Sequence, residues 1–448
     1  MEIDTFPLGG KIYKYYTPIE NMEKNTILKY LIDKKENIKT SKVFSRTTAF
    51  KFTENFVNVL IGPRRAGKTY FSYDLILNKL KLKDEEFIFM DFEDAVLSDI
   101  KLNEIVETVN LHEEHYKKKP RYLFFDEIQN VDNWDKAIRT LFETKKYVVF
   151  LSGSSSKILS KEIATSLRGR ALSHSILPFS FKEFLGFRKF ELKNFYSSSE
   201  ENKIKNYLKE YLKYGGFPNI VIEKEIAERF FKEYLDLIVF RDVIERHKIK
   251  NVFIIKFLMK KMISSFAKEF SIHNIFNTLK SQNIKVSKKT LYEYALYLED
   301  AFFSFFLKKF SYSIKKTELS IPKVFINDTG LVNFSSMNFS ENFGKIMENA
   351  VFLELLRRKK EIFYFKSVTK EEADFVIKEG KRIKQVFQVC YDLSELEVRK
   401  REINSLIRAG RELKCNNLFI ITWDYEAEEK VKNKKIEFIP FWKWLLNN

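Results

Sequence analysis

The sequence predicts an α/β fold built on a parallel sheet in which one strand leads into a phosphate-binding loop. Three observations predict it. The apolar run Phe56-Val-Asn-Val-Leu-Ile61 enters Gly62-Pro-Arg-Arg-Ala-Gly-Lys68-Thr69, and Tyr70-Phe-Ser-Tyr-Asp-Leu-Ile76 leaves it as a helix. A second run, Arg121-Tyr-Leu-Phe-Phe-Asp126-Glu127, ends in two carboxylates. Between about residues 52 and 190 such runs alternate with helical stretches, the pattern of strands with helices on both faces.

The first loop is G-x-x-x-x-G-K-[ST] in the setting where that motif has a mechanism, a strand entering and a helix leaving. Gly62 and Gly67 let the backbone curl so that its N–H groups converge on phosphate oxygens, and the helix N-terminus adds positive potential there. The nucleotide-binding set is therefore Gly62, Pro63, Arg64, Arg65, Ala66, Gly67, Lys68, Thr69 and Tyr70. Lys68 is placed to reach the β- and γ-phosphates, and Thr69 to put its hydroxyl on Mg²⁺. Asp126 fits the metal-organising role and Glu127 the polarising of an attacking water. A third strand, Lys146-Tyr-Val-Val-Phe-Leu151, ends in Ser152-Gly-Ser-Ser-Ser156, where a hydroxyl can sense the γ-phosphate; Ser154 is preferred over Ser152. No guanine-reading motif stands out, so ATP with Mg²⁺ is the expected cofactor pair.

At 448 residues the chain is long enough for two or three domains. Its two cysteines, Cys390 and Cys415, exclude a disulfide scaffold, and neither they nor the five histidines fall at zinc-ligand spacing. The start of the chain lacks the layout of a signal peptide, and no apolar run approaches the ~18–20 residues of a membrane span. A cytoplasmic protein with no membrane partner is expected. The net charge of +18 invites a nucleic-acid partner, although the lysines are spread along the chain rather than gathered in one segment.

Residues 1 to about 50 read as a helical extension, with helical spacing from Ile19 to Ile32. Phe87-Ile-Phe-Met90 is a further strand, followed by the acidic Asp91-Phe-Glu-Asp94. Residues 192 to 250 are helical and charged, broken sharply at Tyr214-Gly-Gly-Phe-Pro218. The next stretch predicts an amphipathic helix from Phe253 to Phe266, a second capped by Ser271, and a third from Lys288 to Leu298 with Leu291, Tyr294, Ala295 and Leu298 on one face. An aromatic strand at 301–307, a basic turn at 312–316 and a strand at 323–326 then form a ribbon, completing a winged helix-turn-helix. If it reads DNA, Lys288, Lys289 and Tyr292 enter the groove, and Lys315 and Lys316 touch phosphates.

Several of these motifs recur together elsewhere. The phosphate loop, Phe125-Asp-Glu-Ile-Gln129 with Trp134, Leu151-Ser-Gly-Ser-Ser-Ser156, Leu167-Arg-Gly-Arg170, Leu177-Pro-Phe-Ser-Phe-Lys-Glu-Phe-Leu185 and Tyr214-Gly-Gly-Phe-Pro218 resemble the prokaryotic AAA-type P-loop ATPases that carry a DUF4143 domain. Gly344-x-x-x-Glu348-Asn349 and Ala373-Asp-Phe-Val376 continue the resemblance, which spans about residues 40–425. It implies an ATPase core at 51–190, a helical lid or connector at 191–250, a winged helix at 251–327 and a nuclease-like α/β domain at 328–448. It also implies that Arg170 or Arg168 serves as the arginine that meets the γ-phosphate, from its own chain or from a neighbour in a homo-oligomer.

Glu348 on an amphipathic helix and Asp374 on a strand resemble the acids of the PD-(D/E)xK nuclease core. The E-x-K position reads Gln388-Val-Cys390, which lacks one ligand charge and the lysine, so the domain is expected to be degenerate. Three functions follow as alternatives: an ATP hydrolase acting on double-stranded DNA, a slow nucleotide switch with a protein partner, and an ATP-gated nuclease. The first is the preferred reading.

Overall fold

The computed structural model describes residues 24–47, 50–153, 165, 167, 169–335, 343–369 and 371–447. Five short apolar runs form one parallel sheet: β1 (Val57–Ile61), β2 (Phe87–Asp91), β3 (Tyr122–Asp126), β4 (Val148–Gly153) and β5 (Ala171–Ser175). Their order is β2-β3-β4-β1-β5, with every neighbouring pair parallel. Covered on both faces, the central strands read as unbroken apolar runs, and β1 and β4 are buried along their whole length. Helices α1 (Lys24–Thr40), α2 (Lys68–Asp74), α3 (Leu102–Tyr116) and α4 (Trp134–Glu143) pack around them. Because β1 lies between β4 and β5, chain order reverses beside it, and a crevice opens at the carboxyl ends of β1, β3 and β4.

The expected N-terminal extension is part of this layer. Helix α1 is described from Lys24 onward; residues 1–23, which include the start of the helical spacing expected from Ile19, lie outside the described part. It packs along the edge strand β2. Tyr30 Oη accepts from the Asp91 backbone N–H at 3.0 Å, and Lys34 Nζ pairs with the Asp91 carboxylate at 2.9 Å. Lys35 is buried, with its Nζ on the Asp84 carbonyl at 2.6 Å and over the rings of Phe87 and Tyr116. Covering an exposed strand edge in this way also removes a site for unwanted pairing.

After the sheet the chain is helical over Phe181–Phe187, Ser198–Tyr214, Pro218–Ile222 and Ala227–Leu237, and continues as a π-helical stretch over Ile238–Glu245. The break at residues 214–218 has a steric cause. Gly215 has φ 83°, and a Cβ there would lie 1.8 Å from Asp328 Oδ1. The same carboxylate accepts from Gly216 N at 2.7 Å and from Gly330 N at 2.8 Å, so the turn is built around Asp328. Burial pushes the Asp328 carboxyl up to about 6 against the pull of those N–H groups.

Helices Val252–Ser264, Ile272–Ser281 and Lys288–Asp300 follow, with a small antiparallel sheet of β6 (Lys268–Glu269), β7 (Ser304–Leu307) and β8 (Lys323–Ile326) in the order β6-β8-β7. Ser271 and Ser287 cap the second and third helices through Asn274 N and Thr290 N. Two details differ from expectation. The aromatic strand starts only at Ser304, because the chain turns through Phe302 at φ 54°. The expected basic turn at 312–316 overlaps the start of a short helix, Ile314–Glu318, which Ser313 caps through Lys316 N.

The C-terminal unit holds helices Thr329–Ser335 and Phe343–Arg357 and a six-stranded mixed sheet. Its strands are β9 (Glu361–Lys366), β10 (Glu372–Glu379), β11 (Arg382–Cys390), β12 (Leu418–Thr422), β13 (Ala427–Val431) and β14 (Lys434–Pro440), in the order β13-β14-β12-β11-β10-β9. Helix Leu396–Glu412 crosses between the parallel pair β11 and β12. Helix Phe343–Arg357 is not amphipathic as the sequence suggested: residues 346 to 355 are all buried, because it is wedged among β8, β11 and helices Ser198–Tyr214 and Thr329–Ser335. One apolar core runs without interruption from the parallel sheet to this helix and to Trp442 and Trp444.

Candidate nucleotide site

The loop after β1 needs its glycines. A Cβ on Gly62 would lie 2.1 Å from the Ile176 carbonyl oxygen, and Gly67 has φ 90°. Pro63 and Ala66 are buried, Arg64 and Thr69 half-buried, and Arg65 and Tyr70 exposed. Lys68 is buried, its ammonium folded back onto the carbonyls of Gly62 and Pro63 at 3.1 Å each, and burial pulls its pKa down.

Three strand ends converge on this loop. Thr69 Oγ1 donates to Asp126 Oδ2 at 2.5 Å, Ser152 Oγ donates to Asp126 Oδ1, and Glu127 N reaches the same oxygen at 3.1 Å. Burial and the adjacent Glu127 charge push the Asp126 carboxyl up to about 6. Glu127 is buried and left-handed at φ 49°, and Gln129 Nε2 donates to its Oε2 at 2.5 Å. A hydroxyl and a carboxylate side by side are hard oxygen donors of the kind Mg²⁺ takes.

Beside the loop lies a cleft of about 730 Å³. Arg64, Lys68, Thr69 and Glu127 form its polar end, and Phe44, Phe179, Phe187, Pro218 and Ile222 its apolar end. Phe44 holds the aromatic wall together, with ring centroids 5.4 Å from Phe179 and 5.9 Å from Phe187. Such a cleft matches a phosphate group at one end and a flat base at the other.

Two ion pairs, one buried and one partly buried, brace the loop. Arg46 Nε donates to Glu183 Oε1 at 2.8 Å, Nη2 to Glu183 Oε2 at 3.0 Å and to the Leu177 carbonyl at 2.9 Å, and Nη1 to the Ala66 carbonyl at 3.3 Å. Burial raises the Glu183 carboxyl, and the Arg46 guanidinium more than reverses this, holding it at about 2. Arg64 Nε donates to both oxygens of Asp242, at 2.8 and 3.1 Å, tying the loop to the π-helical stretch. Arg46, Glu183 and Asp242 escape a reading of the sequence, since their partners lie 137 and 178 positions away. Ser180 and Glu183 form a capping box at the start of helix Phe181–Phe187, and nothing in it announces the arginine.

The remaining sequence candidates are placed as follows. Ser154 and Arg168 lie outside the described residues. Ser152, passed over in favour of Ser154, is the hydroxyl on Asp126. Arg170 stands at the other end of the sheet: its carbonyl accepts from Val57 N where β1 begins, whereas the loop follows Ile61. Five strand residues put it about 16 Å from the loop along β1. Its guanidinium pairs with Glu143 at 3.4 Å, each side chain 55% exposed. Arg170 is not part of the nucleotide site of its own chain. Lys288, Lys289, Tyr292, Lys315 and Lys316 are all exposed. Glu348 and Asp374 are brought together, with Lys323 of β8 between them.

Comparison with known proteins agrees with this geometry. Residues 54–185 match the model of an AAA domain, and residues 205–342 match a domain of unknown function, DUF8612, where the sequence resemblance had suggested DUF4143. The uncharacterized protein MJ1544 of Methanocaldococcus jannaschii is 44% identical over 428 residues, 93% of this chain and 94% of the relative. This chain belongs to the MJ1544 family. An uncharacterized protein of Haemophilus influenzae is 28% identical over 396 residues, covering 88% of this family member and 95% of the relative. Among solved structures, the Aeropyrum pernix ORC1 protein in complex with DNA aligns with 73% of this MJ1544-family chain and 95% of its own, at 12% identity and a TM-score of 0.28. The MJ1544-family chain thus carries an AAA-family, ATPase-like nucleotide-binding fold.

Proposed function

We propose that this chain is a Mg²⁺-dependent ATP hydrolase that couples turnover to DNA through its C-terminal half. The observation that carries the hydrolase reading is the meeting of Thr69, Asp126 and Glu127 beside a glycine-gated loop whose lysine is held close by. Phosphates settle on the N–H groups of residues 64–70 while Lys68 leaves its carbonyl partners for the β- and γ-oxygens. Thr69 and Asp126 would hold Mg²⁺, which when bound would supply neutralising charge at the phosphates. Glu127 orients and polarises the attacking water, with Gln129 fixing its carboxylate. Ser154 senses the γ-phosphate. Arg170, or Arg168, completes the site of a neighbouring chain in a homo-oligomer, since Arg170 stands at the far end of its own sheet.

The base lies against the Phe44, Phe179 and Phe187 wall, and ATP is the nucleotide. Residues 251–327 act as a winged helix that presents Lys288, Lys289 and Tyr292, with Lys315 and Lys316, to double-stranded DNA. Residues 328–448 serve as a nuclease-like binding module without cleavage. The protein works in the cytoplasm. Steady-state Mg-ATP hydrolysis with and without double-stranded DNA, at low and high salt, tests the proposal. Stimulation that fades at high salt is the expected result. Turnover indifferent to DNA would assign the C-terminal half to a protein partner, and no turnover under any condition would refute the hydrolase.

A further inference from the structure

Three consecutive backbone carbonyls ahead of the helix Phe181–Phe187 each accept from a guanidinium. Arg46 Nη2 donates to the Leu177 carbonyl at 2.9 Å. Arg357 Nη2 donates to the Pro178 carbonyl at 3.0 Å and to the Phe179 carbonyl at 3.3 Å. Tyr211 Oη is a second donor on the Phe179 carbonyl at 2.8 Å, and Phe179 N donates to the Gly216 carbonyl at 2.7 Å. Proline has no N–H, so its carbonyl is the one polar backbone group by which Pro178 can be gripped. The segment carries Phe179, one ring of the aromatic wall, and leads into the helix that ends in Phe187, another ring of that wall. Arg46 belongs to the nucleotide half of the molecule. Arg357 does not: it ends the buried helix Phe343–Arg357 of the C-terminal unit, 179 positions from Pro178.

We infer, on the reading of the cleft as a nucleotide site, that Arg357 is a positioning residue for the base. From the C-terminal unit it fixes the Phe179 ring against which the base lies, without lining the cleft itself. A wall fixed before the ligand arrives spares the cost of ordering it on binding. The Arg357 side chain is 13% exposed. Burial works against its charge, but Tyr211, Glu354, Glu183 and Asp328 around it outweigh that and keep the guanidinium charged. A charged donor holds both carbonyls more firmly than a neutral one would. The next residue shows what a plain structural contact from the same helix looks like. Arg358 shares Glu354 with Arg357, at 3.0 Å against 3.4 Å, but its other arm donates to the Trp444 carbonyl at 2.8 Å and its face lies over the Trp444 ring. Neither Glu354 nor Trp444 lines the cleft. Phosphates bind at the opposite, polar end, on the loop after β1, so a change confined to Arg357 acts on the base and spares the phosphates.

The test compares Mg-ATP with inorganic tripolyphosphate, which has the phosphates and no base, by calorimetric titration of the full-length protein and its variants. The native protein should bind ATP more tightly than tripolyphosphate. Arg357→Met keeps the apolar stem and leaves Glu354 its bond to Arg358. It should bind ATP about tenfold more weakly, the scale of one hydrogen bond to a charged group, and tripolyphosphate within about twofold of native. Arg358→Met, the control from the same helix, should change neither affinity. Arg357→Lys keeps the charge but offers a point rather than a fork, so its ATP affinity should fall between native and Arg357→Met. The lysine variant carries the test if circular dichroism shows the methionine variant unfolded. Equal weakening of ATP and tripolyphosphate, native ATP affinity in a folded Arg357 variant, or the same selective loss in Arg358→Met would each overturn the inference. Equal affinity of the native protein for the two ligands would take the base off the wall and overturn the inference alone. Binding of neither ligand would overturn the nucleotide reading itself, and the inference with it.

Discussion

Replacing Arg46 by methionine should be among the most damaging single changes to the nucleotide half of the molecule. The substitution keeps a long, flexible stem in the space over the Phe179 ring but removes the guanidinium that faces Glu183. Glu183 is 1% exposed, so its carboxylate cannot turn to water. Burial pushes its pKa up from the ordinary 4.5, and the Arg46 guanidinium, helped by the Ser180 N–H and by Arg357, more than overcomes that push. The net value of about 2 therefore sets only the order of magnitude of what the pair contributes. A difference of about 2.5 units at 1.36 kcal/mol each amounts to about 3 kcal/mol, within the ~3–5 kcal/mol typical of breaking a buried pair. Urea unfolding followed by far-ultraviolet circular dichroism gives the loss directly. Adding Glu183→Gln to Arg46→Met should recover more than half of it, because no buried charge then remains. The folded carboxylate binds its proton less readily than the unfolded one. The contribution of the pair is therefore complete above about pH 4.5 and is lost as pH falls towards 2. The gap between the native protein and Arg46→Met should close over that interval. A loss below about 1 kcal/mol at pH 7, or a double variant as unstable as the two singles summed, would refute the reasoning.

Other outcomes follow from the same geometry. Lys68→Ala should abolish nucleotide binding or turnover, while Glu127→Gln should bind ATP as the native protein does and stop hydrolysing it; native-rate turnover by Glu127→Gln would remove that residue from its role. Gly215→Ala places a methyl group 1.8 Å from Asp328 Oδ1 at a positive φ, and should lower the melting temperature by several degrees more than an exposed Gly380→Ala, whose Cβ meets nothing. Burial lowers the Lys35 amine to about 7, so the folded chain keeps it neutral where the unfolded chain protonates it, and stability falls as pH drops from about 10 to about 7. Lys35→Met should flatten that slope, measured as the difference in melting temperature between pH 9.5 and pH 7.5.

The parallel sheet and its loop were legible because their signals are local. A strand, six loop residues and a helix lie in one stretch, and Asp126 and Glu127 mark the end of another. The same locality let Ser271 be recognised as a helix cap. What escaped was whatever depends on distant partners. Arg46 sits in an extended stretch with no period, and its importance comes entirely from Glu183 and the Ala66 carbonyl. Asp242 is one acid among many on a charged helix until Arg64 is seen against it. Lys323 looked like the first residue of a ribbon strand, and only the tertiary fold sets it among three carboxylates. Helix Phe343–Arg357 was misjudged for a related reason: Glu348, Asn349 and Glu354 suggest a wet face, yet all three are buried, Asn349 by pairing with both backbone groups of Ile326.

The turn keyed to Asp328 bears on how this protein can be divided. The matched AAA stretch stops at residue 185, yet one wall of the cleft is made by Pro218 and Ile222, and the bend that aims them there closes only around a carboxylate more than a hundred positions further on. A fragment cut at the domain boundary would keep the loop after β1 and lose the far side of the cleft. It would also present to water the apolar surfaces that Phe217 and Ile220 now cover. The unit that can be excised, crystallised or grafted is therefore set by where the Gly215 bend finds its anchor, and it reaches at least into the helix Thr329–Ser335.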